Sequence, residues 1–376
     1  MDTLLGRLLA TWRIVRTTFG RYVGPVFVGW AFLGLRFASS LGLALDPLLF
    51  GRLRKTEIKR PIILVGNPRT GTTFLQRWLS DNGIGSGIQL WRMVYPSLTQ
   101  QLFLRPFLPL LEWVSPAKYH SSAAHETSLS SVETDDVGAL FRNFDGFFLY
   151  GFFLAFDEQD HRNAFDPEFR DTSVRDFAWF RELWRRNIVS TGQERVVAKL
   201  FSLGPRTPRF QAEFPDASIL YMVRDPVEVI PSAMSLVTGV LHQVFQFWDL
   251  PEDIKRRYCE RLYLGLVDLL RKFQEDWVSG AIDRKRVYVV RYDRMMQEFD
   301  VVMTEMLHFL EVTPDDKLKA EIATRAAKQR KHKSEHKYDL GKFYLTEEQV
   351  RRDCAFVYET FLTPLPALAT EPQASA

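Results

Sequence analysis

The sequence predicts an α/β protein with a central parallel sheet flanked by helices. Three apolar, β-prone runs support this prediction: residues 61–66 (PIILVG), 218–223 (SILYMV) and 286–292 (RVYVVRY). The first two end in a turn and continue as helix-like stretches, which is the beginning of a strand-turn-helix unit. Their apolar residues are continuous rather than alternating, as is typical of parallel strands that are covered on both faces.

The helices and a fourth strand follow in order along the chain. Residues 73–79 are helix-like after the first strand, and a strand is predicted at 195–201. Residues 227–237 continue as a helix after the strand at 218–223, and residues 299–310 form a long amphipathic stretch. We therefore predict one α/β domain at residues 61–362, preceded by a helical segment at 1–60. The Pro/Ala-rich residues 363–376 are predicted to be a flexible tail.

Composition excludes several classes of protein. Of 376 residues, 46% are hydrophobic and 25% are charged, which allows a large core and excludes a mainly disordered chain. The net charge of +3 is too small for a general nucleic-acid binder. The two cysteines, Cys259 and Cys354, indicate neither a disulfide framework nor a structural metal site. A reducing compartment, the cytoplasm, is therefore predicted.

The N-terminal segment is basic and then apolar. Residues 22–35 are almost wholly apolar, but Arg36 interrupts them before the ~18–20 residues that a membrane-spanning helix needs. We expect neither a transmembrane span nor a secretory signal peptide. Two interpretations stay open: residues 1–45 lie on the anionic inner face of a membrane, or they form a helix packed on the core. The basic residues of the first 21 positions, against Asp2 alone, are Arg7, Arg13, Arg16 and Arg21.

The loop that follows the first strand carries the strongest chemical signal. Residues 66–73 (GNPRTGTT), here called the donor loop, combine backbone N–H groups at a helix N-terminus with Thr hydroxyls, glycine and one cation. This combination predicts a phosphate or sulfate site. The nucleoside-triphosphate motif G-x-x-x-x-G-K-[ST] is absent, because Thr72 stands where its lysine would be. A kinase or an ATPase is thereby disfavoured.

Two motifs in this order resemble the sulfotransferases that use 3′-phosphoadenosine 5′-phosphosulfate (PAPS). Residues 68–73 match that family's 5′-phosphosulfate loop, Pro-(Lys/Arg)-(Ser/Thr)-Gly-Thr-Thr. Arg224 and Ser232 have the spacing of the residues that hold the 3′-phosphate, and the pattern is most similar to the bacterial branch. The resemblance implies a P-loop-like sulfotransferase fold, PAPS as sulfuryl donor and no metal. It implies donor binding by Arg69, Thr70, Gly71, Thr72, Thr73, Arg224 and Ser232.

Sulfuryl transfer also needs a cation at the leaving oxygen and a base for the acceptor proton. The resemblance implies Arg69 as that cation, with Lys199 as a second candidate. Relatives often carry a catalytic His two positions after this Lys, where this chain has Phe201. The base is therefore expected in residues 125–136, as Glu133 or His125. The alternative is that the acids of this segment cap and solvate a helix beginning near residue 135.

Two further segments have open interpretations. The seven phenylalanines of residues 141–156 are interpreted either as the lining of an apolar acceptor cavity or as part of the hydrophobic core. The basic stretch 325–337 has two interpretations. In relatives a basic C-terminal loop closes over the 3′-phosphate, which would be the role of Lys331, Lys333 or Lys337 here; the alternative is a solvated helix face.

The predicted activity is transfer of the PAPS sulfuryl group to a hydroxyl of a small-molecule or lipid acceptor that is hydrophobic. Nucleic acid is not an expected partner. Two other classes stay open: a catalytically silent nucleotide-binding scaffold, and a lipid-binding protein of the membrane surface.

Overall fold

A four-stranded parallel sheet lies at the centre of the computed structural model, which describes residues 2–114, 128–329 and 339–362. Its strands are β1 (Ile62–Val65), β2 (Val197–Lys199), β3 (Ser218–Val223) and β4 (Val287–Arg291), in the order β2-β1-β3-β4. All three pairings are parallel. The predicted fold class is therefore confirmed; β3 has the predicted bounds, and β1, β2 and β4 are shorter than the predicted runs.

The strands are joined and covered by helices. Those of the first half of the described chain are α1 (Leu4–Phe19), α2 (Gly24–Leu49), α3 (Thr72–Asp81), α4 (Leu90–Val94), α5 (Leu98–Leu104), α6 (Leu108–Val114), α7 (Asp136–Asn143), α8 (Phe147–Phe152) and α9 (Ser173–Thr191). Those of the second half are α10 (Thr207–Glu213), α11 (Pro226–Phe245), α12 (Glu252–Ser279), α13 (Tyr292–Gln297), α14 (Phe299–Phe309), α15 (Asp316–Gln329), α16 (Glu347–Asp353) and α17 (Ala355–Val357).

The sheet has a packed helical layer on each face, as the continuous apolar strands predicted. Alternate strand residues belong to different cores, because successive side chains of a strand point to opposite faces. Ile63 and Tyr221 pack with helices that include α8, α9 and α12. Leu64 and Met222 pack with α3, α14 and α15. Both faces of the sheet are thus removed from water, and the polar site is left at the strand ends.

Helix α1 packs on the domain. Its side chains Ile14 and Val15 are buried, and Ile14 belongs to the larger core. Arg7 is also buried; it donates to the carbonyl oxygens of Asn143 and Phe144 at 2.8 Å and lies 3.6 Å from the Asp145 carboxylate. Of the two interpretations of the N-terminal segment, core packing therefore describes α1.

Helix α2 is mostly exposed. It is one of two helices among the described residues that are long and apolar enough to cross a membrane by length and composition, α11 being the other. Half of the most apolar 18-residue stretch of α11 is buried inside the protein, but only 11% of the corresponding stretch of α2 is buried. Arg36 does not end α2, which runs on to Leu49, so the apolar helix is longer than the sequence suggested.

Candidate active site

The carboxyl ends of the four parallel strands bring the polar residues together at one edge of the sheet. The donor loop follows β1, Lys199 ends β2, and Arg224 follows β3. The strand order places β1 between β2 and β3, with the chain crossing over it. Ligands of open α/β sheets bind outside the carboxyl ends at such a switch point. This crevice is therefore the candidate site.

The donor loop turns sharply from β1 into α3. Gly66 has φ +137°, and a Cβ there would lie 2.4 Å from the carbonyl oxygen of Met222, so glycine is required for the close approach of two strands. Gly71 has φ +92° immediately before α3. Thr70 is buried, and its hydroxyl donates to the Asn67 carbonyl oxygen at 2.9 Å. The Thr70 hydroxyl therefore holds the loop's shape.

Arg69, Ser232 and Arg224 form one cluster between β1 and β3. The Nε of Arg69, a residue with φ +77°, donates to the Ser232 hydroxyl at 3.0 Å. Arg224 donates to the Arg69 carbonyl oxygen at 3.2 Å and pairs with Glu228 at 2.7 Å. The Arg224 guanidinium also lies 4.1 Å from the ring centroid of Tyr292. The structure thus unites the two motifs, which are about 150 residues apart in the sequence.

Lys199 lies on the other side of the donor loop. Its Nζ donates to the hydroxyl of Thr73, in the first turn of α3, at 2.9 Å. The residue is buried, and this burial lowers the pKa of its ammonium although the nearby Glu133 and Asp135 carboxylates raise it. A cation is therefore held beside the N-terminus of α3, where anions bind.

Asp135 and Asp136 fix the end of β2. Asp135 accepts from the Lys199 backbone N–H and from Trp184 Nε1, both at 2.9 Å. Asp136 accepts from the Phe201 backbone N–H at 3.0 Å and from the hydroxyl of Ser202. Burial raises the pKa of Asp135 to about 7 and raises that of Asp136 as well. Hydrogen-bond donors inside the protein therefore satisfy both carboxylates. The two aspartates do not form a solvated helix end.

Glu133 comes from the same segment but has a different environment. Its buried carboxylate accepts from the Ser131 hydroxyl at 3.0 Å and lies 3.8 Å from the Arg77 guanidinium. Gln76 Nε2 lies 3.5 Å from the Glu133 carbonyl oxygen. Helix α3 therefore faces both candidate catalytic groups, because it directs Thr73 to Lys199 and Arg77 to Glu133.

Aromatic rings border the β2 side of the site. Phe201 is buried, with its ring centroid 5.9 Å from Phe147 and 5.2 Å from Phe148. Phe148 stacks on Phe152 at 6.0 Å, and both are partly buried. The phenylalanine-rich segment therefore has two environments: Phe147 and Phe156 are core, whereas Phe148 and Phe152 are partly buried and pack against that core.

The structure brings most of the predicted site residues to this edge of the sheet. Arg69–Thr73, Glu133, Lys199, Arg224 and Ser232 all lie there, whereas His125, Lys331, Lys333 and Lys337 fall outside the described residues. Sequence reasoning missed Gln76 and Arg77. Their spacing of three and four residues from Thr73 on a helix was the signal that could have found them. No group of three or more His, Cys, Asp or Glu that could hold a metal is found within the described ranges.

Three comparisons relate this chain to known proteins. A model of the sulfotransferase family matches residues 61–316. The omega-hydroxy-beta-dihydromenaquinone-9 sulfotransferase Stf3 of Mycobacterium tuberculosis, like that of Mycobacterium bovis, is 25% identical over 269 residues, which are 69% of this chain. The matched part spans 64% of the length of those relatives.

Solved structures have the same fold. The crystal structure of sulfotransferase STF1 from Mycobacterium tuberculosis H37Rv superposes with a TM-score of 0.70 at 17% identity, covering 94% of this chain and 91% of that one. Sulfotransferase STF9 from Mycobacterium avium gives a TM-score of 0.62 at 18% identity, covering 85% and 81%. The likeness therefore extends beyond the matched family region to most of the described chain.

Proposed function

Since the chain belongs to the sulfotransferase family, we propose that it transfers the sulfuryl group of PAPS to a hydroxyl of a hydrophobic, lipid-like acceptor. One observation carries the proposal. Three basic residues, Arg69, Lys199 and Arg224, come from three different strand ends and surround the N-terminal turn of α3. A donor with two separate anionic groups fits this distribution of charge.

The two sides of the site suit the two anionic ends of PAPS. The Arg69, Ser232 and Arg224 cluster offers two guanidinium groups and a hydroxyl, which suits a terminal phosphate. The N-terminal turn of α3, with Thr72, Thr73 and Lys199 Nζ, suits the phosphosulfate. We assign the 3′-phosphate to the first side and the 5′-phosphosulfate to the second, which moves Arg69 from the leaving oxygen, where the resemblance placed it, to the 3′-phosphate, because its guanidinium contacts Ser232.

The proposed reaction is an in-line displacement at sulfur. The bond from the acceptor oxygen to sulfur forms, the bond from sulfur to the 5′-phosphate oxygen breaks, and adenosine 3′,5′-bisphosphate leaves. Lys199 stabilises the negative charge that develops on the leaving oxygen, because a cation fixed in a water-poor site stabilises such charge strongly. Glu133 accepts the proton of the acceptor hydroxyl.

The acceptor is proposed to enter along the aromatic side of the site. Phe148 and Phe152 offer apolar surface next to Phe201, at the end of the strand that carries Lys199. A quinone-derived lipid is the acceptor in the name of the mycobacterial relative. A hydroxyl at the end of an apolar chain is therefore the acceptor class to test first.

Loss of Arg224 or Ser232 is expected to weaken donor binding. Arg224→Ala and Ser232→Ala should each raise the Kd for adenosine 3′,5′-bisphosphate by about 10–150-fold, because a charge-assisted phosphate contact contributes ~1.5–3 kcal/mol. Isothermal titration calorimetry measures this affinity directly. Arg256→Ala, a change at an exposed arginine of α12, is the matched control and should leave Kd unchanged. Unchanged affinity in both site variants would refute the 3′-phosphate assignment.

Loss of the Lys199 charge is expected to act on turnover. Lys199→Met should lower kcat by about 10²–10³-fold, which is the effect of removing one preorganised donor to a developing anion. Steady-state assays with PAPS and long-chain alcohols measure the effect, and Lys272→Met, at a surface ion-pair cluster, is the control. A Lys199→Met enzyme with wild-type kcat would remove Lys199 from the mechanism.

The same assay decides between this function and a silent scaffold. The scaffold would bind adenosine 3′,5′-bisphosphate but sulfate no acceptor in a panel that covers sterols, quinols and long-chain alcohols. Turnover with any of them excludes it. A wild-type protein that fails to bind the bisphosphate would contradict the proposed function itself.

A further inference from the structure

Large apolar side chains are exposed on two neighbouring parts of the molecule, helix α2 and the α5–α6 region. Phe27, Trp30 and Phe37 lie on α2; Phe103, Phe107 and Trp113 lie between Leu98 and Val114. Each is more than half exposed. Soluble proteins rarely expose contiguous large apolar surfaces, and those that do generally bind a partner or a membrane. We call these six residues and their two elements the apolar layer.

The two elements are held together by specific contacts. Asp46 of α2 accepts hydrogen bonds from Ser97 and from the backbone N–H groups of Leu98 and Thr99, at the beginning of α5. Gly42 faces Ser97 so closely that a Cβ there would lie 2.5 Å from its hydroxyl. The α2 and α5 helices therefore form one rigid surface.

Helix α2 has a protein-facing side, which argues against a membrane-spanning helix. Ser39, Gly42 and Asp46, spaced by three and four residues, are buried against the domain. Asp46 also pairs with buried Arg186 of α9 at 2.7 Å. A spanning helix would have to leave these contacts and take a carboxylate into hydrocarbon, which is costly. The opposite, apolar side remains open for contact.

The charges around the apolar layer are mainly basic. Residues 3–56 contain one acidic residue, the buried Asp46, and eight basic ones: Arg7, Arg13, Arg16, Arg21, Arg36, Arg52, Arg54 and Lys55. The last three are exposed directly after the end of α2. Between Leu98 and Val114, Arg105 is exposed, and Glu112 is engaged with the Leu129 N–H at 2.9 Å. Apolar surface bordered by cations is complementary to an anionic lipid bilayer.

We propose that the apolar layer docks on an anionic bilayer with α2 in the plane of the interface. Aromatic side chains of α2 and of the α5–α6 region enter the acyl boundary, and Arg52, Arg54 and Lys55 contact the headgroups. The Glu112 to Leu129 hydrogen bond joins α6 to the segment that carries Glu133. The docking surface stands independently of the sulfuryl-transfer chemistry, because no residue of the donor site contributes to it.

Vesicle co-sedimentation of the full-length protein tests the proposal. Binding should be strong to phosphatidylcholine vesicles that contain phosphatidylglycerol and weak to phosphatidylcholine alone. Arg52→Gln/Arg54→Gln/Lys55→Gln should weaken binding to the anionic vesicles by about tenfold or more, since each basic residue near the surface contributes ~1 kcal/mol. Phe27→Ser/Trp30→Ser/Phe107→Ser/Trp113→Ser should abolish it.

Matched controls separate these effects from general changes of charge and hydropathy. Lys317→Gln/Lys319→Gln/Lys328→Gln removes three exposed charges from α15, and Phe169→Ser/Val174→Ser/Val278→Ser removes three exposed apolar groups elsewhere. Both should bind like wild type. Thermal unfolding midpoints close to that of wild type would establish that the layer variants are folded. A folded layer variant with undiminished vesicle binding would overturn the proposal.

Two alternatives to docking on the bilayer surface predict different experimental results. If a second copy covers the apolar layer, light scattering will show a dimer that the aromatic variant abolishes, without vesicle binding. If α2 spans the bilayer, alkaline carbonate will leave the protein in the membrane fraction of an expressing cell. Either result would overturn the proposal, whereas release by carbonate and a monomer in solution would support it.

Brominated phosphatidylglycerol vesicles should quench the fluorescence of Trp30 and Trp113, and Trp30→Phe/Trp113→Phe should lose that quenching.

Discussion

Glu133→Gln is expected to lower kcat by about 10²–10⁴-fold, which is the usual contribution of general-base assistance. The glutamine preserves the size of the side chain and the oxygen that accepts from Ser131 at 3.0 Å, but it takes up no proton. Affinity for adenosine 3′,5′-bisphosphate should change far less than kcat, because in our assignment Arg224 and Ser232, not Glu133, hold the 3′-phosphate. Kinetics with PAPS and calorimetry with the bisphosphate measure the two quantities separately.

The pH dependence distinguishes a base from an electrostatic role. Lys199 must be protonated to act, and its pKa is lowered by burial while Glu133 raises it. If Glu133 acts only through its charge, Glu133→Gln will lower the pKa of Lys199 further. The alkaline limb of the pH–rate profile will then move to lower pH. If Glu133 is the base, the acidic limb of the wild-type profile will disappear in the variant.

A control and an alternative complete the test. Glu348→Gln, at an exposed position of α16, should have wild-type kcat. Full activity in Glu133→Gln would show that the base lies elsewhere, and His125→Asn would then be the next variant. Asp135 and Asp136 are poorer candidates, since backbone and side-chain donors around β2 already occupy their carboxylates.

The fold and the position of the donor loop between β1 and α3 could be predicted because they depend on local sequence. A buried strand reads as a continuous apolar run, and a phosphate loop needs glycines and hydroxyls at fixed spacing before a helix. The four strands and the placement of residues 66–73 at the N-terminus of α3 follow from such signals. Family membership is confirmed by the match over residues 61–316.

Contacts between distant segments could not be predicted from the sequence. Glu133 was predicted as a possible base, but the sequence had no signal that removes Asp135 and Asp136 from consideration. That reason arises only when Lys199 and Phe201 present backbone N–H groups to these two carboxylates. The contact of Arg69 with Ser232 likewise joins positions 163 residues apart. Asp46 is a further case, since in the sequence it is a lone acid in an apolar stretch.

Asp46→Ala is expected to lower the free energy of unfolding by about 3–5 kcal/mol, because it removes the buried counter-ion of Arg186 and leaves only the half-exposed Glu182 to pair with it. Both carboxylate oxygens of Asp46 are used: one accepts from Ser97 and Thr99, the other from Leu98 and, at 2.7 Å, from Arg186. Urea unfolding followed by circular dichroism measures the change. Glu182→Gln alters the half-exposed second partner of Arg186 and should cost under ~1 kcal/mol.

The acid dependence of stability gives a second measurement of the same interaction. Burial alone would raise the pKa of Asp46, but hydrogen bonds from Thr99, Arg186 and Ser97 outweigh it and hold the pKa below its ordinary value. A carboxyl whose pKa is lower in the folded state stabilises fully above its unfolded value of ~3.9, and this stabilisation is lost as pH falls through the folded value. The difference in the free energy of unfolding between wild type and Asp46→Ala should therefore be largest near neutral pH and should decrease in acid. A loss of equal size at every pH would show that the carboxylate charge does not anchor α2 to the domain.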